Sequence, residues 1–309
     1  MTRRNKILLS LGLLVAALLT AKHIIIDRSP VPASTEFGID LEKMRSMART
    51  GALPESLRVL LIGEGAFPAS AVVAGEGFSR KYPMAFSSFQ VLYPDGKSII
   101  VDTALGERGL QKMSKDAVFH RDRFAAMHAA MRRADKIILT HEHPDHIGGI
   151  ADYPDLQEIQ KKLALSKEQI MDKFREPDLF TAANLKVLES SKPLEDELYQ
   201  TIAPGIVALK SPSHSPGTQF IYLALKNGNE FLFVGDIAWS MDNVRKLTGK
   251  PLLMNLMFLK ENRELVAAQL RALHTIIENP DNKVRLIVAH DAVQQQEYVK
   301  AGLVAEGFK

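Results

Sequence analysis

Ile137-Ile138-Leu139-Thr140-His141-Glu142-His143-Pro144-Asp145-His146-Ile147-Gly148-Gly149 is the stretch from which the rest of the chain is read. Its apolar, β-branched lead-in predicts a short buried strand. The strand runs into four side chains able to bind a metal: His141, His143, Asp145 and His146. On an extended strand end His141 and His143 point the same way, because side chains alternate with a period of two. Asp145 and His146 follow one turn later, after Pro144 has ended the ladder. Adjacent side chains diverge, so ligands this crowded suit two neighbouring ions better than one tetrahedral ion. Gly148-Gly149 tolerates close backbone approach and lets the next segment pass tightly beneath the cluster. Three of the nine histidines fall here, in a chain without cysteine. Disulfides and thiolate ligands are thereby excluded.

Working outward, other strands end in the same kind of residue. Phe86 to Tyr93, the turn Pro94-Asp95-Gly96 and Ser98 to Val101 predict a hairpin that presents Asp102-Thr103. Ile206 to Leu209 leads into Ser211-Pro212-Ser213-His214-Ser215-Pro216-Gly217, where two prolines hold His214 on stiff backbone. Gln219 to Leu225 and Glu230 to Val234 form a second hairpin over Asn227-Gly228-Asn229 and end in Gly235-Asp236. An unpartnered carboxylate beside so apolar a strand is costly, so Asp236 implies a cation or hydrogen-bond donors. Val284 to Ala289 then delivers His290-Asp291.

The HxHxDH segment, with these later strand ends, resembles the metallo-β-lactamase superfamily of metal hydrolases. The resemblance covers roughly residues 57–309 and lacks none of the family's seven ligands. It implies an α/β fold, a four-layer αββα sandwich with a helical insertion after HxHxDH. By the family pattern His141, His143 and His214 surround one ion, Asp145, His146 and His290 the other, and Asp236 bridges. Asp102 is implied as a non-ligand that braces the metal loop by hydrogen bonds. Two divalent ions are expected, zinc first, with iron or manganese as alternatives. Such a pair, about 3.5–4 Å apart, lowers the pKa of a shared water toward neutrality. Asp145 and Asp236 are the implied catalytic carboxylates, Asp145 orienting the nucleophile. The expected reaction is hydrolysis of a small ester or lactone. Phosphodiester or organophosphate hydrolysis is the alternative within enzymes, and a non-catalytic metal-binding module the alternative outside them. Lactonases of the family place a Tyr three residues past the bridging Asp. Here that position is Trp239, whose indole N–H donates a hydrogen bond but is no acid near neutrality.

The composition, 46% hydrophobic and 24% charged, is that of a globular protein. Arg3, Arg4 and Lys6 are the only charges in residues 1–21 and account for the whole formal charge of +3. The remaining body is neutral and offers no electrostatic footprint for nucleic acid. The partner expected is a small-molecule substrate. A basic start followed by the uncharged run Ile7 to Thr20 fits a signal peptide; continued to Ile26 it is long enough for an anchor. The chain therefore divides into a signal peptide or membrane anchor (1–26), a linker with one short helix capped by Asp40 (27–56), and a hydrolase domain (57–309). This predicts export, either to a bacterial periplasm or to an inner-membrane tether through residues 7–26.

Less distinctive segments complete the reading. Arg58 to Ile62 and Ala71 to Ala74 read as strands, broken by Gly63, Gly65 and Pro68. Residues 105–135 read as helical, with Phe124, Met127, Met131 and Ala134 as the buried stripe. Residues 150–210 read as a mostly helical insertion, too long for an ordinary connection. In it Glu158 faces Lys162, and Met171, Phe174, Phe180 and Leu185 line a pocket. Residues 240–279 read as largely helical, with Leu265, Ala268, Leu270, Leu273, Ile276 and Ile277 buried. His120, His128 and His274 are assigned to packing or surface.

Overall fold

The computed structural model describes residues 2–171 and 178–309. Five strands of the first half form one sheet: β1 (Ser56–Pro68), β2 (Lys81–Leu92), β3 (Ser98–Thr103), β4 (Val118–Phe119) and β5 (Lys136–Ile138). A second sheet follows from β6 (Tyr199–Ala203), β7 (Ile206–Lys210), β8 (Gln219–Ala224), β9 (Glu230–Phe233) and β10 (Val284–Ile287). The chain then returns to the first sheet, where β11 (Ala305–Glu306) pairs in parallel with β1. Strand order is β11-β1-β2-β3-β5 in the first sheet, with β4 on β1, and β10-β9-β8-β7-β6 in the second.

The two sheets face each other across one apolar layer. Phe89, Val91, Val101 and Ile138 of the first meet Ile206, Ile221, Phe231 and Phe233 of the second, and the Phe89 and Phe233 rings pack at 5.1 Å. The outer face of the first sheet is covered by Met127 and Met131 of the helix Arg121–Arg133 and by Ile147 and Ile150 of the helix Pro144–Ala151. The outer face of the second is covered by Met44 and Ala48 of the helix Leu41–Ala48 and by Leu270 and Leu273 of the helix Arg263–Glu278. Two sheets with helices outside both make the αββα sandwich, in which each layer buries one apolar face. Asp40 caps the Leu41–Ala48 helix, its side chain accepting from Lys43 N.

Several segments depart from the sequence reading. Ala71 to Ala74 is not a strand: Ala69–Val72 is a single helical turn. β1 instead continues through Gly63 and Gly65 to Pro68, with a bulge between Leu61 and Gly63. Gly63 is there for space rather than for a break, because a Cβ on it lies 2.7 Å from Leu110. Residues 105–135 form two helices, Glu107–Met113 and Arg121–Arg133, split where β4 pairs with Gly63 and Glu64. The insertion is mainly short turns, with 3-10 segments at Leu156–Glu158 and Gln160–Lys162 and helices at Lys167–Ile170 and Ala182–Glu189. In 3-10 geometry residues four apart do not share a face. Glu158 pairs with Arg132 at 3.0 Å, while Lys162 donates to the Arg132 and Ala134 carbonyls at 2.7 Å each. Leu265 is 43% exposed. Gln269 turns inward to hydrogen-bond Ser211 and Ser213, which rotates the buried stripe onto Val266, Leu270 and Leu273.

Before this body stands the helix Arg3–Lys22, none of whose residues is buried. With the following π-turn His23–Asp27 it is long and apolar enough to cross a membrane, at mean hydropathy 2.0.

Candidate metal centre

The strands β3, β5, β7, β9 and β10 all end at one edge of the sandwich, and the loops leaving them build the centre. Asp102, at the end of β3, sits in left-handed backbone at φ 56. Its carboxylate accepts from Thr140 N at 2.7 Å and Thr140 Oγ1 at 2.8 Å, and contacts His146 Nδ1 at 3.0 Å. One acid thus fixes both the exit of β5 and a ring of the histidine cluster. His143 then caps the helix Pro144–Ala151, with Pro144 at its first position, where a missing N–H costs nothing. The helix lies directly on the end of β3. A Cβ on Gly148 lies 2.6 Å from Leu105 Cα, and one on Gly149 lies 2.5 Å from the Thr103 carbonyl. That is the close approach for which the glycine pair was read.

All seven residues singled out from sequence meet at this edge. They fall into two groups, His141, His143, His214 and Asp236, and Asp145, His146, Asp236 and His290, with the donor atoms within 4.8 Å of one another in each. Asp236 belongs to both. Its Oδ2 lies 3.9 Å from His141 Nε2 and 3.4 Å from His214 Nε2. Its Oδ1 lies 3.3 Å from His146 Nε2 and 3.1 Å from His290 Nε2. His290 Nε2 is also 3.2 Å from Asp145 Oδ2, and His214 Nε2 is 2.9 Å from His143 Nδ1. These atoms are close, yet His141 Nε2, His146 Nε2, His290 Nε2 and Asp236 Oδ1 are all buried without a hydrogen-bond partner. Each orphaned group of this kind costs about 1–3 kcal/mol. A divalent cation in each group satisfies them, and imidazole with carboxylate suits such an ion. The residues present fit a two-metal centre.

The opposite ring nitrogens are held in place. His214 Nδ1 contacts Glu261 Oε2 at 2.8 Å, and His290 Nδ1 contacts the Ala85 carbonyl at 2.9 Å. Glu261 in turn pairs with buried Lys250 at 3.1 Å, and Lys250 Nζ donates to the Asp236 carbonyl at 2.6 Å. Glu142 accepts from Ser215 Oγ and Gly217 N, and Gln169 Nε2 donates to the Leu139 and Gly217 carbonyls. The HxHxDH loop is thereby tied to the His214 loop. Trp239 directs its indole N–H to Asp236 Oδ2 at 2.7 Å.

Electrostatics divide the imidazoles. Burial depresses His141 well below its usual range and takes His143 down to about 3. Burial opposes charge on His290 too, but Asp236 and Asp145 override it and lift the ring to about 10. His146 is raised well above its usual value in the same way, burial being outweighed by Asp102 and Asp236. Glu261, despite its burial, is held down at about 2 by Lys250 and His214. Without cations the ionised Asp236 and Asp145 favour protonated imidazoles at His146 and His290, so metal uptake releases those protons.

His120 contacts Glu64, His128 the Gly149 carbonyl and His274 the Val244 carbonyl, and none joins the cluster. Of the residues read as pocket lining, Phe180 and Leu185 pack in the core with Leu156 and Ile170, Met171 is 53% exposed, and Phe174 lies outside the described residues. Sequence reasoning missed Lys250, Glu261, Glu142 and Gln169. Only Glu142 carried a signal, as an acid inside the histidine run.

Comparison with known proteins agrees with this geometry. The sequence model of the metallo-beta-lactamase superfamily matches residues 85–280, well over half of the chain. The N-acyl homoserine lactonase AiiA of Bacillus thuringiensis subsp. kurstaki is 28% identical over 111 residues, 35% of this chain and 40% of that protein. The match thus spans less than half the length of the curated relative. Among solved structures, an N-acyl homoserine lactone hydrolase with the product N-hexanoyl-L-homoserine at its catalytic metal centre is similar at TM-score 0.60 and 15% identity, covering 79% of this chain and 96% of the other. A quorum-quenching N-acyl homoserine lactone lactonase is similar at TM-score 0.61 and 16% identity, covering 79% and 95%. At such identities the structural likeness speaks for the fold; the sequence model speaks for descent. The chain belongs to the metallo-beta-lactamase superfamily.

Proposed function

We propose that the chain is a metal-dependent hydrolase that opens small lactones, with N-acyl homoserine lactones as the first class to test. The observation that carries the reading is the division of Asp236, whose two oxygens face different histidine groups, as a bridging carboxylate requires. The sequence match to N-acyl homoserine lactonases supports the choice of substrate class. In this reading His141, His143 and His214 hold one ion, Asp145, His146 and His290 the other, and Asp236 both, with zinc as the metal. When bound, the pair supplies Lewis acidity and lowers the pKa of water at the site. The chain's own residues do the rest. Asp145, whose Oδ2 faces the shared space beside His290, accepts a hydrogen bond from the attacking water and orients it. Trp239 is committed to Asp236 and positions that carboxylate. Its indole leaves no protein acid in the place of the lactonases' Tyr, so a carboxyl or solvent proton must reach the departing ring oxygen.

The wholly exposed apolar helix at the start supports export, with residues 1–26 as signal peptide or anchor, 27–56 as linker and 57–309 as the catalytic body. The test is a panel of lactones, linear esters and phosphotriesters, assayed with metal-loaded and chelated protein. Lactones are expected to be the best substrates, with activity lost on chelation and restored by zinc. Faster turnover of phosphotriesters than of any lactone rejects the substrate class.

A further inference from the structure

The segment Pro251-Leu252-Leu253-Met254-Asn255-Leu256-Met257-Phe258-Leu259 contains no charge, yet much of it lies on the surface. Leu256, Met257 and Phe258 are 64%, 59% and 64% exposed, and Leu253 37%. A short helix and a π-turn present these side chains outward, and the segment closes at Lys260 in left-handed backbone. Clustered exposed apolar side chains of this size mark an interaction surface.

Its position says which surface it meets. The helical turn Leu252–Met254 packs against the π-turn His23–Asp27, the root of the apolar Arg3–Lys22 helix. Gly249 N bonds the Ser29 carbonyl, and Pro30 bridges to Thr248, so the two segments leave the body side by side. Ile24, 50% exposed, and Phe78, 56% exposed, continue the apolar surface at the same root. Lys22 lies over the Phe78 ring at 5.9 Å. A helix of membrane-spanning length that enters a bilayer here brings this apolar segment to the same boundary. Apolar side chains rimmed by Lys are suited to seating at the headgroup level.

We propose that residues 252–259 seat in the lipid surface beside the N-terminal helix, giving the enzyme two points of contact with the bilayer and a fixed orientation on it. This rests on the reading of residues 1–26 as an anchor. The segment's ends are Lys250 and Glu261, which brace His214 and the Asp236 carbonyl, so the seated loop and the metal centre share a frame.

The test uses the full chain with vesicles of phosphatidylethanolamine and phosphatidylglycerol whose acyl chains are brominated. Trp239, 8% exposed, is the only native tryptophan and gives the background. Phe258→Trp adds a reporter on the patch, and Leu198→Trp adds one at a similarly exposed position, at 61%, beside edge strand β6. Flotation with vesicles reads the anchor, and quenching reads the patch. The expected result is flotation of every protein, with quenching by brominated lipid in Phe258→Trp beyond that of wild type and Leu198→Trp. Flotation without added quenching in Phe258→Trp overturns the seating while leaving the anchor intact. Failure to float overturns both. Cross-linking between copies through position 258 in place of quenching assigns the patch to self-association and also overturns the proposal.

Discussion

The group around His141, His143 and His214 and the group around Asp145, His146 and His290 share Asp236 but are braced by different means. The first leans on Glu261 and Lys250, a buried ion pair contributed late in the chain from the two ends of an apolar surface segment. The second leans on Asp102 at the end of a central strand and on the Ala85 carbonyl of β2. Buried ion pairs are costly to break from one side, whereas a carbonyl in a sheet is held by the whole ladder. The first group is therefore the more separable half of the centre, and the second is part of the core.

The largest expected effect removes what the halves share. Asp236→Ala is expected to cut hydrolysis by at least about 10²–10³, the scale of losing a preorganised charge at a reacting centre, and to leave fewer than two metals per chain by elemental analysis. Retention of two metals and full turnover contradicts the bridging role. Next comes the brace of the first half. Glu261→Ala strands the Lys250 ammonium, and is expected to cost about 3–5 kcal/mol of stability in chemical denaturation. Glu261→Gln, which keeps the shape, is expected to weaken one metal by about 10–100-fold, the usual scale for an outer partner of a ligand. Equal weakening of both metals erases the distinction between the halves.

Asp102→Asn probes the second half. Asn tolerates the left-handed backbone at this position, so the change removes charge without imposing strain. One metal is expected to weaken by about tenfold or more in competition titrations, and it should be the one that Glu261→Gln leaves alone. Trp239→Phe deletes one hydrogen bond to Asp236, and about tenfold in kcat/KM is expected from a contact to a charged group. Wild-type kinetics in this variant rule out the positioning role. The smallest effect is at the half-buried His120, away from the centre, where His120→Ala should leave two metals bound and change stability by no more than about 0.5 kcal/mol.

The contrast between the halves also marks what sequence could and could not reveal. Strand-end residues were legible because an apolar β-branched run that stops in His or Asp is unusual, and because Gly148-Gly149 left the trace of a close approach. Asp102 was legible as the end of a hairpin. Lys250 and Glu261 were not, since two charges flanking an apolar stretch follow no period and meet only through folding. Ala71 to Ala74 was misread because Gly63 acts as space for Leu110 rather than as a breaker, which lets β1 run on past it. Leu265 was misread because a polar residue, Gln269, occupies the buried face and shifts the stripe. Hydrophobic pattern reports burial only where the buried residue is apolar.

The central claim, that seven residues enclose two ions about a shared carboxylate, is tested most directly by anomalous scattering from crystals of the metal-loaded protein. The account predicts two peaks on either side of Asp236, one among His141, His143 and His214 and one among Asp145, His146 and His290. A single peak, or two that leave Asp236 uncoordinated, contradicts it.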